Sequence, residues 1–150
     1  MRDKEILLVE DNEDDIFLTQ RALQKAKIMN KILVARDGEQ AIEYLYGNEA
    51  NAQTNGDICP VLILLDLKMP RVDGLDLLRE IRQNGKTCMC PVVILTSSTE
   101  EVDIIRGYKL GANSYIRKPV DFNQFVEAVS QLGLYWLVLN EPPYKLPSAN

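Results

Sequence analysis

The sequence contains no histidine. That absence excludes histidine-based catalytic triads, histidine-ligated metal centres and a role as phosphohistidine donor. A cationic surplus is also missing: 17 Lys+Arg stand against 22 Asp+Glu, a formal net charge of −5. Duplex binding draws on excess Lys and Arg to neutralise phosphates, so the balance argues against a nucleic-acid binder. No apolar run approaches the roughly 20 residues that a membrane helix needs. The first residues, Arg2, Asp3, Lys4 and Glu5, are charged rather than a basic patch before an apolar stretch, so no targeting segment is expected. Cysteine is scarce, at Cys59, Cys88 and Cys90. An odd number without a signal segment reads as reduced thiols of a cytosolic chain. Cys88-Met89-Cys90 is too tightly spaced for a zinc ribbon.

What is present has the mix of one globular domain: 150 residues, 46% hydrophobic and 26% charged. A chain of this length buries about two-thirds of its unfolded surface and needs no disulfide or metal to fold. Three apolar runs, Ile6 to Val9, Val61 to Leu65 and Val92 to Leu95, are rich in Val, Ile and Leu and too short for helices. Unbroken apolar character predicts strands buried on both faces, as in a parallel sheet covered by helices. Lys31 to Ala35 and Ser114 to Arg117 are weaker strands. Between them lie helical stripes: Ile16, Leu18, Ala22, Leu23 and Ala26; Ala41, Ile42 and Leu45; Leu75, Leu77, Leu78 and Ile81; Val102, Ile104, Ile105 and Leu110; and Phe122, Phe125, Val126, Val129 and Leu132. Asn12 is placed to cap the first helix, whose Glu13, Asp14 and Asp15 suit its positive end. Asp121 opens the fifth. Five alternations of strand and helix predict an α/β fold with a doubly wound five-stranded parallel sheet. Gly47 to Cys59 reads as a long surface loop, and Glu141 to Asn150, with three prolines, as an extended tail.

Ligands of doubly wound sheets sit beyond the carboxyl ends of the strands. Here the first strand ends in Glu10-Asp11, the third at Asp66, the fourth at Thr96 and the fifth at Lys118-Pro119. Three carboxylates, a hydroxyl and an ammonium therefore meet in one crevice. Clustered carboxylates resist full ionisation without a cation, and Mg²⁺ suits a site of few carboxylates and several waters. Such a site receives a phosphoryl group, with Lys118 and the Thr96 hydroxyl on its oxygens. Asp66, ending the central strand, is the best-placed carboxylate nucleophile.

Asp66-Leu67-Lys68-Met69-Pro70-Arg71-Val72-Asp73-Gly74, with Glu10-Asp11 before it and Thr96 and Lys118-Pro119 after it, resembles a response-regulator receiver domain over about Glu5 to Leu132. The resemblance implies a flavodoxin-like (βα)5 fold with strand order 2-1-3-4-5. It implies one receiver domain over residues 1–140, followed by the tail 141–150. Asp66 would take a phosphoryl group from a sensor histidine kinase in the cytoplasm. Asp11, Asp66 and the backbone carbonyl of Lys68 would bind Mg²⁺, with Glu10 acting mostly through water. Thr96 and Tyr115 would be the switch pair, and Lys118 would hold the phosphoryl group. Asp73-Gly74 reads as turn and helix-cap chemistry rather than catalysis.

Tyr115 carries two readings, a packing aromatic on an edge strand and a moving ring that enters space vacated by Thr96. Converting a mostly inactive ensemble to a mostly active one takes on the order of 5 kcal/mol of differential stabilisation. Leu134 to Leu139 also carries two. The segment extends the fifth helix onto its own domain, or it exposes Leu134, Tyr135, Trp136 and Leu137 as a homodimer surface. The long loop and the Trp-containing ending resemble stand-alone receivers that partner phytochrome-type kinases.

Two other functions compete. A Mg²⁺-dependent phosphohydrolase with an aspartyl-phosphate intermediate also uses an Asp after a strand, but haloacid-dehalogenase-type enzymes want a second acid at the position of Lys68. A DNA-binding regulator needs a further module, and the Pro-bearing tail is too short for helix-turn-helix. The favoured expectation is a phosphoacceptor switch that signals by changing its protein-binding surface, not an enzyme.

Overall fold

Three fully buried apolar strands and two partly buried ones pair side by side in one sheet. The computed structural model describes residues 5–47, 60–67, 69, 72–96, 101–117 and 122–133. Strands β1 (Ile6–Val9), β2 (Ile32–Ala35), β3 (Leu62–Leu65), β4 (Val92–Thr96) and β5 (Ser114–Arg117) alternate with helices α1 (Glu13–Lys25), α2 (Gly38–Tyr46), α3 (Gly74–Gln83), α4 (Glu101–Lys109) and α5 (Phe122–Gly133). All strand pairs are parallel, in the order β2-β1-β3-β4-β5. The expected architecture and strand order are therefore those of the molecule. The predicted strands at Lys31 and Val61 start one residue later, at Ile32 and Leu62.

Alternation along the strands divides the core into two layers. Leu7, Val9, Ile63, Leu65, Val92 and Ile94 face α2 and α3, meeting Ala41, Leu45, Leu75, Leu77, Leu78 and Ile81. Ile6, Leu8, Leu62, Leu64 and Val93 face the opposite way with Ile16 of α1. There Ala22 and Leu23 of α1 also meet Leu95, Phe125 and Val129. Each fully buried Leu, Ile or Val contributes about 1.5–3 kcal/mol of transfer free energy. Two-sided burial is why β1, β3 and β4 read as continuous apolar runs rather than alternating ones.

Local chemistry sets the helix ends. The Asn12 side chain accepts from the Asp15 amide at 2.9 Å, capping α1 as expected. Asp37 caps α2 by accepting from the Gln40 amide at 2.8 Å. Asp73 occupies the cap position of α3 but makes no side-chain cap hydrogen bond. In α1 the inward positions are Ile16, Thr19, Ala22 and Leu23. Leu18, placed on the apolar stripe by its spacing, is instead exposed.

Arg82, at the end of α3, ties the far ends of the strands together. It donates to the carbonyls of Gly111 at 2.9 Å, Cys88 at 3.1 Å and Cys90 at 2.7 Å, and to Asn113 Oδ1 at 3.0 Å. Gly111 carries φ +102° in the turn before β5, a conformation that favours glycine. Cys88 is a free thiol, whereas Cys90 is disulfide-bonded, which corrects the expectation of three reduced cysteines. Among the described residues no helix is long and apolar enough to cross a membrane. Residues 48–59 of the predicted loop and 134–150 of the predicted C-terminal segment and tail lie outside the described residues.

Candidate functional site

The register of the sheet brings the acidic strand ends together. Val9 of β1 pairs with Leu65 of β3, so Glu10 and Asp66 leave adjacent strands at the same level. The Asp66 amide donates to the Val9 carbonyl at 3.0 Å, and the Glu10 amide to the Ala35 carbonyl at 2.9 Å. These bonds extend the ladder by one residue and fix where both side chains begin.

Glu10 is 1% exposed, Asp66 7%, and Asp11 lies open to solvent. One carboxylate oxygen from each of the three lies within 4.8 Å of the others. Two unit negative charges at that spacing repel by about 3 kcal/mol at an effective dielectric constant near 20. The Asn12 amide donates to Glu10 Oε2 at 3.3 Å, a partial offset within the protein. Hard, anionic oxygen donors, two sheltered and one open, match what Mg²⁺ requires: a few carboxylates and room for its waters. The donor set fits that ion.

Thr96 closes β4 and is fully buried. Tyr115 of β5 pairs with Ile94, and Arg117 with Thr96. Side chains two residues apart on a strand share a face, so Tyr115 lies on the same face as Thr96, one diagonal step away. Its ring is partly buried against the α2–α3 layer and faces Tyr108 of α4, with centroids 6.5 Å apart. The structure thus places Glu10, Asp11 and Asp66 in one cluster, with Thr96 and Tyr115 on neighbouring strands. Lys68, Lys118 and the segment Leu134, Tyr135, Trp136 and Leu137 lie outside the described residues.

Three features of the structure were not legible as site chemistry. Gly74 packs its bare Cα against the backbone of Asp66 and Leu67. Arg36, just after β2, donates through Nε to Glu13 Oε2 at 2.6 Å, bridging to the first turn of α1. The Arg36 hydrogen bond holds the Glu13 carboxyl below the usual carboxylate range, and Glu13 in turn raises the Arg36 guanidinium. The third is the Tyr108 ring beside Tyr115. A separation of 23 residues gives the Arg36–Glu13 pair no local sequence signal, whereas the Asp73-Gly74 turn pointed to Gly74.

The comparisons with known proteins agree with this geometry. The family described as response regulator receiver domain matches residues 6–130. Response regulator Rcp1 of Synechocystis sp. is 37% identical over 134 residues, 89% of this chain and 89% of that protein. The crystal structure of the phosphorylated cyanobacterial phytochrome response regulator RcpA superposes with a TM-score of 0.81 at 37% identity, covering 94% of this chain and 99% of that one. The Mn²⁺-bound form of response regulator Rcp1 gives 0.77 at 36% identity, covering 93% and 99%.

Proposed function

The chain belongs to the response-regulator receiver domain family and is homologous to single-domain response regulators of two-component systems, and on that premise we propose that Asp66 is its phosphoacceptor. The observation that carries this is the meeting of Glu10, Asp11 and Asp66 within 4.8 Å at the carboxyl ends of β1 and β3. A receiver in a phosphorelay implies a histidine kinase as donor. The transfer breaks the N–P bond of the kinase's phosphohistidine and forms an O–P bond on an Asp66 carboxylate oxygen. The freed imidazole stays with the kinase.

Asp11 and Asp66, with the Lys68 carbonyl, would hold Mg²⁺, and Glu10 would act through its water. When bound, the ion neutralises charge on the transferring phosphoryl oxygens. The chain's own groups do the rest. Asp66 supplies the nucleophilic oxygen, its backbone pinned by the Val9 carbonyl. Thr96 donates its hydroxyl to one phosphoryl oxygen, and Lys118 pairs with another. Tyr115 follows Thr96, and its motion reshapes the surface of α4, β5 and α5. The phosphorylated RcpA and Mn²⁺-bound Rcp1 structures support this chemistry by analogy.

The finer reading is a cytoplasmic switch, not an enzyme, over residues 1–140 with 141–150 as a tail. It answers a phytochrome-type kinase and self-associates through Leu134, Tyr135, Trp136 and Leu137, a segment outside the described residues. Names of relatives support the kinase type.

Incubation with acetyl phosphate and Mg²⁺ tests the reading against a phosphohydrolase. One alkali-labile phosphoryl group per chain, without turnover of small phosphate esters, is expected. Sustained ester turnover without any adduct would establish the hydrolase instead.

A further inference from the structure

Tyr108 and Tyr115 form a tilted ring pair, with centroids 6.5 Å apart and planes at 36°. Gly107 lies beside this contact. A Cβ there would lie 3.7 Å from the Tyr115 ring and 2.8 Å from Ile94 Cδ1, so α4 rests closely on β4 and β5 at this point. Tyr108 itself is 50% exposed and contributes little to the core.

Direction along the sheet gives the contact a consequence. β4 and β5 are parallel, so α4 runs back antiparallel between them. Tyr108 is the penultimate residue of α4, Glu101–Lys109, and lies toward the starting ends of the strands. Thr96 lies at the finishing end of β4, two residues beyond Ile94, the register partner of Tyr115. That is about 7 Å further along the strand. Tyr108 and Thr96 therefore flank Tyr115 from opposite ends.

We propose that Tyr108 is a positioning residue, holding the Tyr115 ring away from Thr96 and so setting how readily the ring follows Thr96 when a phosphoryl group engages the hydroxyl. The proposal rests on the phosphoacceptor reading above. Aromatic pairs add a modest preference beyond area burial, enough to shift a two-state balance several-fold. Removing the Tyr108 ring releases Tyr115 toward Thr96. By linkage it favours the state that holds the phosphoryl group.

The test is affinity for beryllofluoride with Mg²⁺, a phosphoryl mimic, in the full chain. Tyr108→Ala should bind about two- to tenfold more tightly than the unsubstituted chain, and Tyr108→Phe, which keeps the ring, should match it. In a Tyr115→Ala background, Tyr108→Ala should change nothing. An equal gain in that background, or no gain with Tyr115 present, overturns the proposal. The ¹⁹F resonance of Tyr115 in 3-fluorotyrosine-labelled protein is the independent readout, assigned by Tyr115→Phe. It should shift in Tyr108→Ala, and an unmoved resonance overturns the ring contact. If beryllofluoride fails to bind the unsubstituted chain, the phosphoacceptor reading falls, and the resonance alone decides the role of Tyr108.

Discussion

A Cβ placed on Gly74 would lie 2.5 Å from the backbone carbonyl oxygen of Asp66 and 2.6 Å from Leu67 Cα. The Gly74 amide also donates to the Leu67 carbonyl at 3.1 Å. The start of α3 is therefore seated on the backbone that presents Asp66. Helix propensity favours alanine over glycine by about 1 kcal/mol. Gly74→Ala should nevertheless lose about 1–3 kcal/mol in urea unfolding, because backbone atoms cannot yield as a side chain can. It should also weaken Mg²⁺ binding by displacing Asp66. A stabilised variant would show that the contact does not constrain the site.

Asp11→Asn separates the two consequences of the acidic cluster. Without metal, neutralising one of three mutually repelling carboxylates should raise stability, by up to about 1 kcal/mol because Asp11 is open to solvent. With saturating Mg²⁺ the order should reverse, since ligand binding stabilises the unsubstituted chain more. Thermal unfolding in EDTA and in Mg²⁺ reads both arms.

Thr19 is 1% exposed, and its Oγ1 has no hydrogen-bond partner among the described residues. An unpaired buried hydroxyl costs about 1–3 kcal/mol. Thr19→Val keeps the branched shape and removes the orphan atom. It should raise the urea midpoint by about 1 kcal/mol of stability, with metal affinity unchanged. A lower midpoint would mean that the hydroxyl has a partner in solution.

Burial pushes the Tyr46 phenol above its ordinary value of 10.0, partly opposed by its hydrogen bond with Thr87 Oγ1 at 2.9 Å. The neutral phenol is the form the fold accommodates. Its contribution is fully present below the unfolded value and is lost as pH rises through the folded one. Tyr46→Phe should therefore be less stable than the unsubstituted chain near pH 8, and the gap should narrow above pH 10. Chemical denaturation across that range checks it, and a gap that widens with pH would contradict the burial argument.

Much of the fold and of the site is legible in the sequence. Ile6 to Val9, Val61 to Leu65 and Val92 to Leu95 announce themselves because two-sided burial leaves no polar residue inside the run. Glu10, Asp11 and Asp66 were found because polar residues ending such runs fall on the ligand-binding edge of a doubly wound sheet. What escaped depends on contacts that sequence spacing does not encode. Leu18 and Thr19 are neighbours, and it is Thr19 that turns inward while Leu18 is exposed. Gly74 read as turn chemistry, but its meaning is the closeness of the Asp66 backbone. The Arg36–Glu13 pair and the Tyr108–Tyr115 pair join different elements and leave no periodic trace.

The central claim is that a cation-loaded carboxylate cluster makes Asp66 a phosphoryl acceptor. Its most direct measurement is intact mass after acetyl phosphate, in Mg²⁺ and in EDTA, followed by borohydride reduction and peptide mapping. The account predicts one phosphoryl group per chain in Mg²⁺ and almost none in EDTA. It predicts homoserine at position 66 after reduction, and no adduct in Asp66→Asn. An adduct mapped to another residue, or one formed equally well in EDTA, would contradict it.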